Sequence, residues 1–185
     1  MKKLFYFLMI LVTVSFLATS CDKDEEDQVK TVKLGAQSNT SIPGFYSVSE
    51  IKTYTMDQGF QNQSAIDIFC FYEAETGNNI ALASPGSNIT GIFTGASSVE
   101  NWTTVNTTRF SATTLTVAQF DAVVETDELI VTAYDTANNY RKAKDLKIDD
   151  IYAFKTQAAT NGLLKVTEVV QGTDGSVTFE VKVKK

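Results

Sequence analysis

The chain has 185 residues, with 16 basic against 22 acidic side chains, two cysteines and no histidine. Its formal charge of −6 argues against a nucleic-acid partner, whose phosphates need a basic face. Without histidine, no Ser-His or Cys-His nucleophile pair and no histidine-based metal site can be built.

Lys2 and Lys3 open the chain, and residues 4–17 form a mostly apolar run. A spanning helix needs about 20 apolar residues, so this run is too short to cross a membrane. Its length and flanks suit a secretory segment that ends in small residues at a cleavage site. Ala18-Thr19-Ser20 supplies those residues directly before Cys21, and the acids Asp24-Glu25-Glu26-Asp27 follow. Such acids also make a solvated, self-repelling tether. The expected division is therefore a cleaved segment at residues 1–20, a tether at 21–30 and a single globular domain at 31–185. Loss of Lys2 and Lys3 leaves 14 basic against 22 acidic side chains, a mature charge of −8.

The stretch from Leu17 to Asp27 resembles a bacterial lipoprotein signal, in which the cysteine becomes the lipidated first residue of the mature protein. The resemblance implies a membrane partner through a lipid anchor on Cys21. Each buried methylene of such an anchor contributes about 0.8 kcal/mol, and several chains hold stably where one does not. Asp24, Glu25, Glu26 and Asp27 resemble the acidic export tag of Bacteroidota cell-surface lipoproteins, which implies display on the outer membrane. Asp22 stands where enterobacterial lipoproteins carry an inner-membrane retention signal, so periplasmic display is the competing reading.

Along the domain, residues 31–34 read as a strand, followed by a polar loop that ends at Pro43-Gly44. Residues 45–55 look extended, and 56–64 read as a loop or one helical turn. Residues 65–72 are the strongest strand, with Ile66, Ile68, Cys70 and Tyr72 on one face and Phe69 and Phe71 on the other. A strand apolar on both faces is expected at the centre of a covered sheet, with Cys70 as a small buried hydrophobe. Residues 80–83 form a further strand, and 87–114 read as a long irregular segment suited to ligand contact.

Thr116-Val117-Ala118-Gln119 fits a capping box, while 127–134 is consistent with either helix or strand. Residues 151–156, 163–170 and 177–184 read as strands. In the last, Val177, Phe179, Val181 and Val183 should point inward and Thr178, Glu180, Lys182 and Lys184 toward water. The fold class is α+β, one domain dominated by antiparallel strands with short helices near 117–134. Ala153-Phe154-Lys155-Thr156 followed by Gly162-Leu163-Leu164-Lys165-Val166 also resembles Bacteroidota lipoproteins, a likeness that implies no activity.

Candidate chemistry is sparse. Asp149-Asp150 with Asp145 offers oxygen ligands but lacks the spaced acids and glycine of a calcium loop, so a solvated turn is the plainer reading. Glu73, Glu75, Asp67 and Glu100 are scattered acids from which a glycosidase pair could be drawn only across a cleft. Trp102, the only tryptophan, follows Asn101 in a polar stretch: a ring with amide neighbours suits a sugar face, and it equally suits a plug that fixes the loop to the core. Asp135-Thr136-Ala137 resembles the acceptor triplet for O-glycosylation of exported Bacteroidota proteins, which would place a glycan on Thr136.

The expected protein is a non-enzymatic, outer-membrane-anchored module that needs no cofactor or metal and binds a glycan or a surface protein. A structural or adhesive component, or a carboxylate-dependent glycan hydrolase, are the alternatives. Residues 28–140 carry 4 basic and 11 acidic side chains while 141–185 carry 9 basic and 6 acidic, an asymmetry that fits either a docking face or solvated strands.

Overall fold

The computed structural model of the chain describes residues 29–74, 77 and 79–185. Cys21 and the acids at 24–27 lie outside the described residues, as does Glu75. In chain order the strands are β1 (Lys30–Gly35), β2 (Phe45–Ser47), β3 (Lys52–Tyr54), β4 (Ile68–Glu73), β5 (Asn79–Ala83), β6 (Arg109–Ala112), β7 (Lys142–Ala143), β8 (Ile151–Lys155), β9 (Asn161–Val170) and β10 (Ser176–Val183). The helices are α1 (Met56–Gln61), α2 (Val117–Ala122) and α3 (Leu129–Thr132). The strands form two five-stranded antiparallel sheets, ordered β1-β10-β9-β8-β6 and β3-β2-β4-β5-β7. This is an α+β fold dominated by strands.

Alternation along the strands divides the apolar residues among three cores. Leu34, Tyr46, Ile68, Cys70, Leu82, Phe154 and Phe179 meet between the sheets. On the far side of the second sheet, Phe45, Phe69 and Phe71 pack under the segment that carries Phe93, Val99 and Trp102. On the far side of the first sheet, Ala153 and Leu163 lie under Phe120, Val123 and Ile130 of the α2–α3 region. Both faces of each sheet are therefore at least partly covered. Each fully buried Leu or Phe contributes about 1.5–3 kcal/mol, so these layers dominate the stability of the fold.

β4 sits at the centre of its sheet, with Ile68 and Cys70 facing the inter-sheet core and Phe69 and Phe71 the outer one. Ile66 belongs with Phe69 and Phe71 instead of Ile68, because a 3-10 turn at Gln63–Ala65 precedes the strand and breaks the alternation. Residues 45–55 are not one extended run but the hairpin β2–β3. Ile51 closes its turn at φ +52, a region β-branched residues rarely adopt. The region 127–134 resolves into α3, and both T-x-x-Q boxes, Thr55–Gln58 and Thr116–Gln119, cap helices.

The face of β10 expected in water is half covered. Lys182 is 5% exposed, and its ammonium donates to the carbonyl oxygens of Phe120, Asp121 and Val123 at 2.8, 3.0 and 2.6 Å. Lys165 on β9 is buried beside it, paired with Asp121 at 2.6 Å and Glu180 at 2.9 Å. Among the described residues, no helix is long and apolar enough to cross a membrane.

Candidate functional site

One short segment stitches the two sheets together. Phe110 on β6 and Tyr140 exchange backbone hydrogen bonds, 2.7 Å from the Phe110 N–H and 2.8 Å from the Tyr140 N–H. Two residues on, Lys142 and Ala143 form β7 and pair with β5 of the other sheet. Between them Arg141 accepts from the Ser84 N–H at 3.1 Å and donates through Nη1 to the Gly86 carbonyl at 2.6 Å. The main chain is thus pinned at both ends while the Tyr140 ring remains 67% exposed.

A groove of about 780 Å³ opens at this corner. Arg109, Arg141, Lys142, Lys144, Tyr140, Tyr152, Asn138 and Asn139 line it together with Phe110 and three small residues, and no carboxylate is among the lining residues. Its cations have partners that fix them without neutralising them all. Arg109 Nη1 donates to Asn139 Oδ1 at 3.1 Å. Lys142 and Lys144 share Glu73, at 3.1 and 2.9 Å. Burial pushes the Glu73 carboxyl up, but hydrogen bonds from Lys144 and Lys142 outweigh it and hold the group below the ordinary glutamate value. The Tyr152 hydroxyl donates to the Lys144 carbonyl at 3.2 Å, and burial, with Asp150 and Asp145 nearby, pushes its pKa up to about 12.

Asp135-Thr136-Ala137 stands next to the groove, directly before Asn138 and Asn139. Asp135 accepts from the Ala137 and Asn138 N–H groups at 2.7 and 3.1 Å and from the Asn138 side chain at 2.8 Å. Those bonds, the Asn138 side chain's foremost, hold its carboxyl below the usual aspartate range. Thr136 is exposed on this closed turn.

Trp102 and Asn101 lie elsewhere, in the segment that covers the second sheet. The Trp102 ring is 7% exposed, with its centroid 5.5 Å from Phe45 and its N–H donated to the Ser97 carbonyl at 3.0 Å. Asn101 ties the same loop, donating to the carbonyls of Gly95 and Ala96 at 3.2 Å. With both faces hidden, the indole is a loop plug, and the sugar-platform role expected of an exposed ring does not fit it. An indole buried among Phe rings contributes through burial and ring contact.

The scattered acids are each engaged locally. Asp67 accepts from the Val48 N–H at 2.9 Å, and burial raises its carboxyl above the ordinary range. Glu100 accepts from the Gly91 N–H at 2.5 Å. Asp150 caps its own turn through the Lys147 N–H at 2.8 Å, and Asp145 accepts from the Asn79 side chain at 2.6 Å. Among the described residues, no group of three His, Cys, Asp or Glu side chains is placed to hold a metal ion. Cys70 is a buried free thiol whose pKa burial raises.

Fold and groove together define a β-rich domain of two packed sheets with a basic, tyrosine-marked corner. No protein-family model matches the chain, and no curated protein does. Among solved structures, the crystal structure of a DUF4466 family protein from Parabacteroides merdae ATCC 43184 is similar, with a TM-score of 0.55 and 17% sequence identity. The match covers 85% of this chain and 54% of that one, so the chain spans about half the length of its neighbour. The likeness is one of fold, shared with a protein from the Bacteroidota.

Proposed function

We propose that this protein is a lipid-anchored lipoprotein of the outer membrane whose domain serves as a non-enzymatic binding module for a glycan or a surface protein. The binding half rests on Tyr140, a ring 67% exposed whose main chain is fixed at the rim of the corner groove. A planar ring with two side-chain torsions on a fixed main chain packs on sugar C–H faces, or on a partner's apolar anchor, at little entropic cost. The side-chain oxygens of Asn138 and Asn139 beside it are acceptors for hydroxyl groups, their amide nitrogens being turned to the Asp135–Thr136 segment. A glycan array probed with the full-length chain in mild detergent tests this: bound spots should fade for Tyr140→Ala. An array without bound spots, together with no surface protein co-purifying, overturns it, as does undiminished binding by the variant.

The anchoring half is supported by Lys2, Lys3, the apolar run of residues 4–17 and the small residues before Cys21. Cys21→Ser should leave the membrane fraction or accumulate as uncleaved precursor. Replacing Asp24, Glu25, Glu26 and Asp27 with Ala should keep the lipid yet protect the domain from protease added to intact cells. Membrane affinity comes from buried methylenes, whereas the acids are read by export machinery, so the two effects separate. Wild-type protein that resists protease on intact cells supports periplasmic display. Thr136 is the proposed O-glycan site, and intact mass should fall by the mass of the glycan in Thr136→Ala.

A further inference from the structure

Resting on the glycan-binding reading of the corner groove, we infer that its ligand is an anionic saccharide, with carboxylate or sulfate groups facing Arg109, Arg141 and Lys144 and one sugar ring packed on Tyr140. The first ground is chemical. A sugar hydroxyl both donates and accepts, and neutral sugars use protein carboxylates as acceptors for the donated proton. This groove has four cationic side chains in its lining and no carboxylate. Such a lining matches a ligand rich in acceptors. Arginine adds a planar fork that meets a carboxylate or sulfate through two parallel hydrogen bonds.

The second ground is distribution. The mature chain carries an excess of acids, yet this one concavity gathers cations from β6, β7 and the linker between them. The nearby acids stay out of the lining: Glu73 bridges Lys142 and Lys144, Asp135 is closed within its own turn, Asp145 holds the Asn79 side chain and Asp150 the Lys147 N–H. An anion entering the groove therefore meets the cationic donors of its wall first. The volume, about 780 Å³, lies within the roughly 300–1,000 Å³ usual for small-ligand sites.

Calorimetry on the full-length chain in mild detergent tests the inference with four probes: tetragalacturonate, its methyl ester, a chondroitin sulfate tetrasaccharide and poly-glutamate. At least one acidic saccharide should bind, and the ester should bind at least tenfold more weakly than tetragalacturonate if that acid is the one bound. Binding of the acid should weaken severalfold as salt rises from about 50 to about 500 mM. Arg109→Gln, or Lys144→Gln should the first misfold, should lose about tenfold for the acid, with an unchanged melting transition. Equal binding of acid and ester, or an array that reports only neutral sugars, overturns the anionic assignment and leaves the glycan-binding reading standing. Poly-glutamate binding as tightly as the saccharides overturns it in favour of an acidic protein partner. No saccharide bound by any route overturns both.

Discussion

Lys182 grips Phe120 twice: its ammonium donates to the Phe120 carbonyl at 2.8 Å and lies 5.0 Å from the centroid of the same residue's ring. The last carbonyls of a helix have no partner within it. A lysine from a strand 62 positions away supplies donors for the end of α2 and clamps the α2–α3 layer to the sheet. Lys182→Met keeps the aliphatic stem and removes the donors; Phe120 keeps its bond from the Val123 N–H, while the Asp121 and Val123 carbonyls lose theirs. It should destabilise the fold by about 2–4 kcal/mol, read as a lower denaturant midpoint with the slope unchanged. A change within about 0.5 kcal/mol would mean that water reaches these carbonyls.

Tyr46 poses the opposite case. Its hydroxyl is buried without a hydrogen-bond partner among the described residues, while its ring meets Phe179 edge-on at 6.2 Å. Burial, with Asp67 adding to it, raises the phenol well above its ordinary pKa. Tyr46→Phe keeps the ring contact and removes a desolvated polar atom. We expect a gain of about 1 kcal/mol in the unfolding free energy. A loss of that size would reveal a partner for the hydroxyl in solution.

Asp67 makes stability depend on pH in a direction opposite to most carboxylates. Burial raises its carboxyl above the ordinary 3.8, with the Val48 N–H opposing. The folded state then holds the proton more tightly than the unfolded chain. The residue's contribution is full below the ordinary value and is lost as pH rises through the raised one. Asp67→Asn keeps an acceptor for Val48 and abolishes the titration. The midpoint of the Asn variant minus that of wild type should therefore grow as pH rises above the ordinary aspartate value of 3.8. A flat difference would show that Asp67 titrates normally.

The two-sided burial of β4 was legible because Phe69 and Phe71 alternate with Ile68 and Cys70, and no neighbour is needed to see that both faces must be covered. The helix at Thr116 was legible from its capping box. The same T-x-x-Q spacing at Thr55 carries the same information, and it marks α1 as surely. Lys182 was not legible: alternation assigns it to water, and only the return of α2 over the sheet buries it. The groove was hidden for a related reason. Arg109, Tyr140, Lys144 and Tyr152 come from β6, the linker, the residue after β7, and β8, and their convergence depends on the bridge between Phe110 and Tyr140. Along the chain Tyr140 merely ends a polar loop, whereas Trp102, alone among amides and hydroxyls, looks like the exposed ring.

That contrast between the two aromatic residues gives the final test. Trp102 fills a buried position against Phe45 and packs closely on Gly59 of α1, where an added Cβ would come within 3.2 Å of its ring. Trp102→Ala should cost about 3–5 kcal/mol of stability, the range for emptying a large buried aromatic site. In molecules that remain folded, saccharide affinity should stay within about twofold of wild type, because the residue supports a different layer from the groove. Tyr140→Ala should do the reverse, moving the unfolding free energy by no more than about 0.5 kcal/mol, as exposed substitutions do, while reducing binding. Thermal unfolding and calorimetry on the same two preparations separate the effects. If Trp102→Ala loses binding at a temperature where its far-ultraviolet dichroism and melting baseline are still native, the recognition surface lies over the second sheet and the corner groove is not the site.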